Sequence, residues 1–222
     1  PNGEDICDRH DLSPSRWVIN FHDWPLDKCR DFPVCFEIIQ RLVYPERLQK
    51  KDKLARDKWW LYLRPRKELY KLIRGKERVL VRPRVSNTHA VVFLSSTCVF
   101  SNTLNVFTRD GWGDFAALQS TIHQEWARDR SSTLKEDMTY HPSDCFETFP
   151  FCSTDGKALN AIGETYYDYR LTVMRDSESG LTKTYKRFND PNDTSADIQK
   201  LRKLHVEMDQ AVAAAYCWTD LN

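Results

Sequence analysis

The chain has 222 residues, 41% of them hydrophobic and 12% aromatic, enough for one large folded domain or two small ones, and no run of about 18 apolar residues exists to span a membrane. Its formal net charge of +1 hides an asymmetry: residues 50–84 hold fourteen Lys or Arg and four Asp or Glu, a local +10, so the remainder sums to −9. A basic block of this kind is the footprint expected of a polyanion partner, although a solvated, salt-bridged helix face gives the same composition.

Taken in order, residues 1–16 are polar and read as loosely held. Trp17–Phe21 alternates enough for a strand, which His22-Asp23-Trp24-Pro25 ends. Leu26–Arg30 reads as a helical turn, and Pro33 suits the first position of a helix running Val34–Val43 with Phe36, Ile39 and Val43 on one face. Pro45-Glu46-Arg47 opens another helix that carries Leu48 and Leu54 among the basic residues before Trp59-Trp60. A further helix after Arg64-Pro65-Arg66 has Leu69, Leu72 and Ile73 as its stripe and Gly75 at its end.

The middle of the chain changes period. Arg78–Val81, Ala90–Leu94 and Thr103–Phe107 are β-type runs, with a shorter one at Cys98–Phe100, and turn-prone tracts separate them, as in an antiparallel meander. After Gly111 and Gly113, the residues Phe115, Leu118, Ile122 and Trp126 fall on one helical face, so a small sheet feeds a covering helix. Residues 128–133 read as a loop and Leu134–Tyr140 as a strand; Ser143 or Asp144 caps a short helix that ends at Phe149-Pro150-Phe151. Residues 152–157 form a hinge. A long helix follows over Ala158–Arg175, with Tyr166, Tyr169 and Val173 on one side; Thr182–Asn192 is irregular. Thr194 or Ser195 caps the last helix, striped by Ile198, Leu201, His205, Met208 and Val212, which pairs with the first as a helical hairpin. The expected class is α+β: a small mixed or antiparallel sheet covered by helices over residues 1–151, then a helical C-terminal segment over 152–222.

Catalytic patterns are sparse. The chain has seven Gly and no glycine-rich phosphate loop, no HExxH and no GxSxG. His141, Ser143 and Asp144 read better as a turn and cap than as a hydrolytic set, and Asp144 with Glu147 better as a cap and first-turn acid than as metal ligands. His123 and His205 read as packed histidines, and the Trp24-Pro25 and Trp59-Trp60 pairs as core. The seven cysteines are scattered without zinc spacing, as reduced thiols of a cytoplasmic protein are. No catalytic or metal-binding residue is assigned; the chain reads as a binding module.

Duplex DNA calls for neutralised phosphates and a rigid platform that aims side chains at base edges. Lys53, Arg56, Lys58, Arg64, Arg66 and Lys67 are the phosphate-binding candidates, and Arg82, Arg84, Ser86, Asn87, His89, Asn102, Asn105 and Arg109 the base-reading ones; Arg forks onto guanine and Asn onto adenine. The alternatives are a basic module that docks on an acidic protein, or a small hydrolase built on His141 or His123.

Longer phrases carry a resemblance. WVINFHDWPL, PERLQKKDKLARDKWWLYLRPRKELY, FAALQSTIHQEWAR and YHPSDCFETFPF, followed by GLTKTYKRFNDP, DIQKLRKLHVEMDQAVAAAY and CWTDL, resemble the target-recognition region of MmeI-type single-chain restriction–modification enzymes and related adenine-N6 DNA methyltransferases. The likeness covers about residues 14–221. It implies a specificity part of a longer polypeptide, whose upstream methyltransferase domain binds S-adenosylmethionine and uses an NPPY-type motif, in some members alongside a nuclease domain. Neither NPPY nor a cofactor loop occurs here, so no cofactor is expected in this chain. The start at Pro1-Asn2-Gly3, without a signal peptide, and the stop at Leu221-Asn222 likewise read as a piece of a longer protein.

Overall fold

In the computed structural model, which describes residues 1–134 and 137–218, the chain is α+β, with two three-stranded antiparallel sheets among the described residues. Lys135 and Glu136 of the expected Leu134–Tyr140 strand, and the end of the CWTDL phrase, lie outside those residues. Two compact units form: Arg16–Gly75, and Pro1–Ser15 together with Lys76–Asn222. The division does not fall at residue 151, because the C-terminal helices share a unit with the sheets.

Helix α1 (Gly3–Asp8) replaces the expected loose terminus. Asn2 Oδ1 accepts from Asp5 N at 2.9 Å and Asp5 Oδ2 accepts from Asn2 N at 2.8 Å, a capping box that satisfies two otherwise orphaned donors. Ile6 and Leu12 are buried as a result.

In the Arg16–Gly75 unit, Trp17–Phe21 forms no strand: Trp17 is fully exposed at 101%, and only Phe21 at the far end of the run is buried. Helices α2 (Leu26–Arg30) and α3 (Pro33–Leu42) form as expected, with Pro33 at the first turn of α3. The next expected helix divides into α4 (Tyr44–Leu48) and α5 (Lys53–Asp57), because the Asp52 carboxylate accepts from Leu54 N at 2.8 Å and Ala55 N at 3.3 Å and so starts a new helix. Helix α6 (Lys67–Ile73) is followed by Gly75 at φ 83°, a left-handed turn that suits glycine. Phe21, Cys29 and Ile39 form the core, with Trp24, Phe36, Trp59 and Trp60 packed around them, and Trp60 Nε1 donates to Trp24 O at 2.9 Å.

In the other unit, β1 (Arg78–Pro83) is the central strand of one sheet. The short strand β2 (Val85–Ser86) belongs to the second sheet, and β3 (Val92–Ser95) and β4 (Leu104–Phe107) flank β1. Cys98–Phe100 forms no strand. The expected covering helix breaks into α7 (Trp112–Gln119) and α8 (Thr121–Arg130) at Ser120, whose extended backbone and hydroxyl, accepting from His123 N at 3.2 Å, start a second helix. Strands β5 (Ser132–Leu134) and β6 (Asp137–Thr139) complete the second sheet in the order β2-β6-β5. Helix α9 (Pro142–Cys145) starts at His141 with Pro142 in its first turn, so neither Ser143 nor Asp144 is its cap. Helices α10 (Lys157–Asp176) and α12 (Ala196–Ala215) pack together as expected. Between them α11 (Leu181–Asn189) forms where an irregular connection was expected, so the segment is a three-helix arrangement rather than a simple hairpin.

Both faces of the first sheet are covered, which decides the fate of its polar residues. Leu80, Phe93 and Phe107 are cross-strand partners, and Phe93 meets Trp112, Phe115 and Tyr167 of α7 and α10. Helix α1 also packs against β1. Gly163 of α10 lies so close to the Trp112 carbonyl that a Cβ there would collide with it.

Candidate nucleic-acid interface

All six phosphate-binding candidates lie in the Arg16–Gly75 unit, which holds fifteen Lys or Arg and eight Asp or Glu, a net of +7. They divide into two groups. Lys53, Lys58 and Arg64 are exposed and form no ion pair among the described residues. The carboxylate nearest in sequence to Lys53, Asp52, is committed to capping α5. The other three are engaged. Arg56 Nη1 donates to the carbonyls of Lys50 at 2.7 Å and Lys51 at 3.0 Å, satisfying backbone ahead of α5. Lys67 pairs with Asp23 at 3.0 Å on an exposed surface, and Arg66 is half-buried at φ 50°, its guanidinium pKa lowered by desolvation.

The eight base-reading candidates also divide, and four are corrections. Arg82 is fully buried: β1 is the central strand of a sheet covered on both faces, so alternation offers it no solvent side. Its guanidinium lies 4.1 Å from the Tyr140 ring centroid, donates to Pro83 O at 3.2 Å, and lies 3.5 Å from His89 Nδ1; burial lowers its pKa to about 10. His89 is buried with Nε2 at 2.8 Å from Leu118 O, which assigns the proton to Nε2 and leaves Nδ1 to face Arg82. Asn105, opposite Arg82 on β4, is buried and donates through Nδ2 to Tyr140 O at 3.0 Å. Ser86 is buried and accepts from Thr88 N at 3.0 Å. These four hold the platform together and do not face solvent.

A second buried network braces the same region. Arg170 of α10 donates to Gln119 Oε1 at 2.9 Å, Tyr185 OH at 3.0 Å and Val91 O at 2.7 Å. Gln119 in turn donates to His89 O and accepts from Val91 N, both at 3.0 Å. Neither Arg82 nor Arg170 forms an ion pair with a carboxylate among the described residues.

Arg84, Asn87 and Asn102 are exposed. Arg84 is fixed through its backbone: its N donates to Thr103 O at 2.8 Å and its O accepts from Tyr140 N at 2.9 Å. Arg84 and Asn102 therefore share one edge, with Asn87 three residues past Arg84. Arg109 is half-exposed but committed, paired with Asp114 at 2.6 Å and stacked 4.2 Å from the Phe151 ring centroid. The second sheet adds residues that sequence reasoning did not select. Val85 pairs with Thr139, which pairs with Ser132, and His141 Nε2 lies 3.2 Å from the Ser132 hydroxyl. Only the register of β2, β6 and β5 sets Thr139 opposite Val85 and Ser132 across β6 from it, so no local pattern announced them. His141 thus faces Ser132, while Ser143 donates to Asp144 at 3.2 Å, and the hydrolytic set does not assemble.

The profile of the family described as "MmeI, target recognition domain" matches residues 13–153. Eleven chains of known structure match. One, the Type IIL restriction–modification enzyme MmeI in complex with DNA, aligns with a TM-score of 0.72 at 20% identity, covering 100% of this chain. The chain spans 28% of that protein's length. No curated protein matches the sequence.

Proposed function

The chain belongs to the MmeI target recognition domain family, and on that premise we propose that it reads a short duplex DNA sequence as the specificity domain of a restriction–modification enzyme. The observation that carries this reading is the reach of the family match, which spans both the +7 unit and the Arg84–Asn102 edge. Lys53, Lys58 and Arg64 supply long-range attraction and phosphate contacts; Arg84, Asn87 and Asn102, together with Ser132 and Thr139 of the second sheet, supply donors and acceptors for base edges. The catalytic partner on this reading is an adenine-N6 methyltransferase domain of the same polypeptide, which binds S-adenosylmethionine. The seven cysteines are free thiols, which supports a reducing, cytoplasmic setting. Among the described residues no helix is long and apolar enough to cross a membrane.

Fluorescence anisotropy with a labelled duplex, titrated across salt concentration, tests the reading. Binding is expected to weaken linearly in log–log form. Changing Lys53, Lys58 and Arg64 to Gln is expected to flatten the slope by about 0.9 for each phosphate that is no longer neutralised. A folded protein whose duplex binding ignored salt, or that bound no duplex at all, would overturn it.

A further inference from the structure

Helix α3 is apolar around more of its circumference than its own unit covers. At 100° per residue, Cys35, Phe36, Ile39 and Val43 fall on one side and pack on the Phe21–Cys29–Ile39 core. Val34, Ile38 and Leu42, at i, i+4 and i+8, extend that arc into solvent and are 71%, 37% and 62% exposed. Of fourteen exposed large hydrophobic residues among those described, eleven lie in this unit, so the stripe is part of a local excess and not scatter.

Three occupants can be weighed. Duplex DNA fits poorly, since the stripe is aliphatic and the charged residues on its polar flank, Glu37 and Arg41, cancel. A second copy fits poorly by size. The three side chains leave on the order of 300 Å² uncovered, against the ~800 Å² per partner of a stable association between separate chains. A domain of the same polypeptide needs far less, because the connecting chain already holds it at high effective concentration. The chain covers 28% of the length of its structural neighbour, so such a domain is available on the reading proposed above, on which this inference rests.

We infer that the Val34–Ile38–Leu42 stripe is the seat for an apolar surface of another domain of the same polypeptide, one that fixes the Arg16–Gly75 unit and its unpaired cations in place. The test uses the full-length protein bound to duplex DNA, with a benzophenone amino acid in place of Leu42. Irradiation is expected to cross-link it within one polypeptide to a peptide outside residues 1–222. Cross-links to a second copy, to DNA or to residues 1–222, or none at all, would overturn the inference. A second variant combines Val34→Gln, Ile38→Gln and Leu42→Gln, which keeps the helix because Gln is a good helix former and these exposed positions lie outside the unit's core. Hydrogen exchange across α3 is expected to quicken about tenfold in the full-length protein; unchanged exchange counts against the seat. Sequence-specific DNA binding by the unsubstituted full-length protein separates the two claims. If it is retained while the cross-link fails, only this inference falls; if it is absent, the DNA reading falls as well.

Discussion

Mild acid is expected to loosen the platform through His89 and His123. Burial pushes both histidines below the ordinary 6.5, with the Arg82 guanidinium adding to the effect on each; His123 falls to about 3 and His89 lies well below its usual value. Their rings are 5.5 Å apart, so two imidazolium ions there would also repel. In the unfolded chain both titrate normally and bind protons below pH 6.5, whereas in the fold they do not. Their stabilising effect is therefore complete above pH 6.5 and is lost as pH falls toward the folded values. At pH 5 His123, held at about 3, accounts for about 2 kcal/mol of lost stability, a large share of an ordinary domain's 5–15 kcal/mol, and His89 adds to the loss in the same direction. Asp11 and Asp197, held at about 2, lose their contribution only below the ordinary 3.8, so the window from pH 6.5 to 4.5 isolates imidazole chemistry. His205 contributes in the same direction: burial lowers it, against the opposing pull of Asp209. Urea denaturation followed by circular dichroism at pH 7 and pH 5 measures the loss, and His123→Gln should remove the part owed to that ring, about 2 kcal/mol. Equal stability at the two pH values, or an identical loss in the variant, would refute the assignment.

Arg170→Met is expected to cost about 1–3 kcal/mol by denaturation, because it leaves Val91 O in the interior without its donor and takes one of two hydrogen-bond partners from Gln119 Oε1 and Tyr185 OH. Gly163→Ala should cost about 1–3 kcal/mol, as the new Cβ forces α10 away from the Trp112 carbonyl; an unshifted melting midpoint would count against that packing. Single changes of Arg84, Asn87 and Asn102 to Ala should relax discrimination at one base position by about 1–3 kcal/mol in binding to a single-substitution duplex library and leave the fold intact; uniform weakening across the library would make them backbone contacts.

What could be read from sequence followed strong local periodicity. Helices α3, α10 and α12 carry long apolar stripes or a well-placed proline, and the strands of the first sheet carry dense Val, Leu and Phe. Misses came where a short polar signal outranked the period. Ser120 interrupts a stripe that runs unbroken from Phe115 to Trp126, and Asp52 does the same between α4 and α5. Helix α11 has Leu181, Thr184, Tyr185 and Phe188 at the right spacing, but Thr and Tyr weaken the pattern. The site was half legible. Charge alone placed the basic unit, whereas Arg82, His89 and Asn105 were expected to face outward because nothing in a single strand shows that its sheet will be covered on both sides.

That burial bears on how such a domain can change its target. Arg82, His89, Asn105, Gln119 and Arg170 spend their hydrogen bonds inside, tying the first sheet and the 89–91 segment to α7 and α10 and to the Tyr140 backbone. A platform braced this way does not depend on the side chains at its rim. Arg84 shows the consequence: main-chain bonds to Thr103 and Tyr140 set the position of its Cα, while no ion pair among the described residues involves its guanidinium. Among the described residues, Asn87 and Asn102 accept through their side-chain oxygens from their neighbours Thr88 and Ser101. Substitution at these rim positions therefore alters what faces the groove without disturbing the interior, whereas substitution in the network beneath removes the platform itself. Polar residues of similar type, a few positions apart in sequence, are in this way divided by the second sheet face into those that define the fold and those free to define the target.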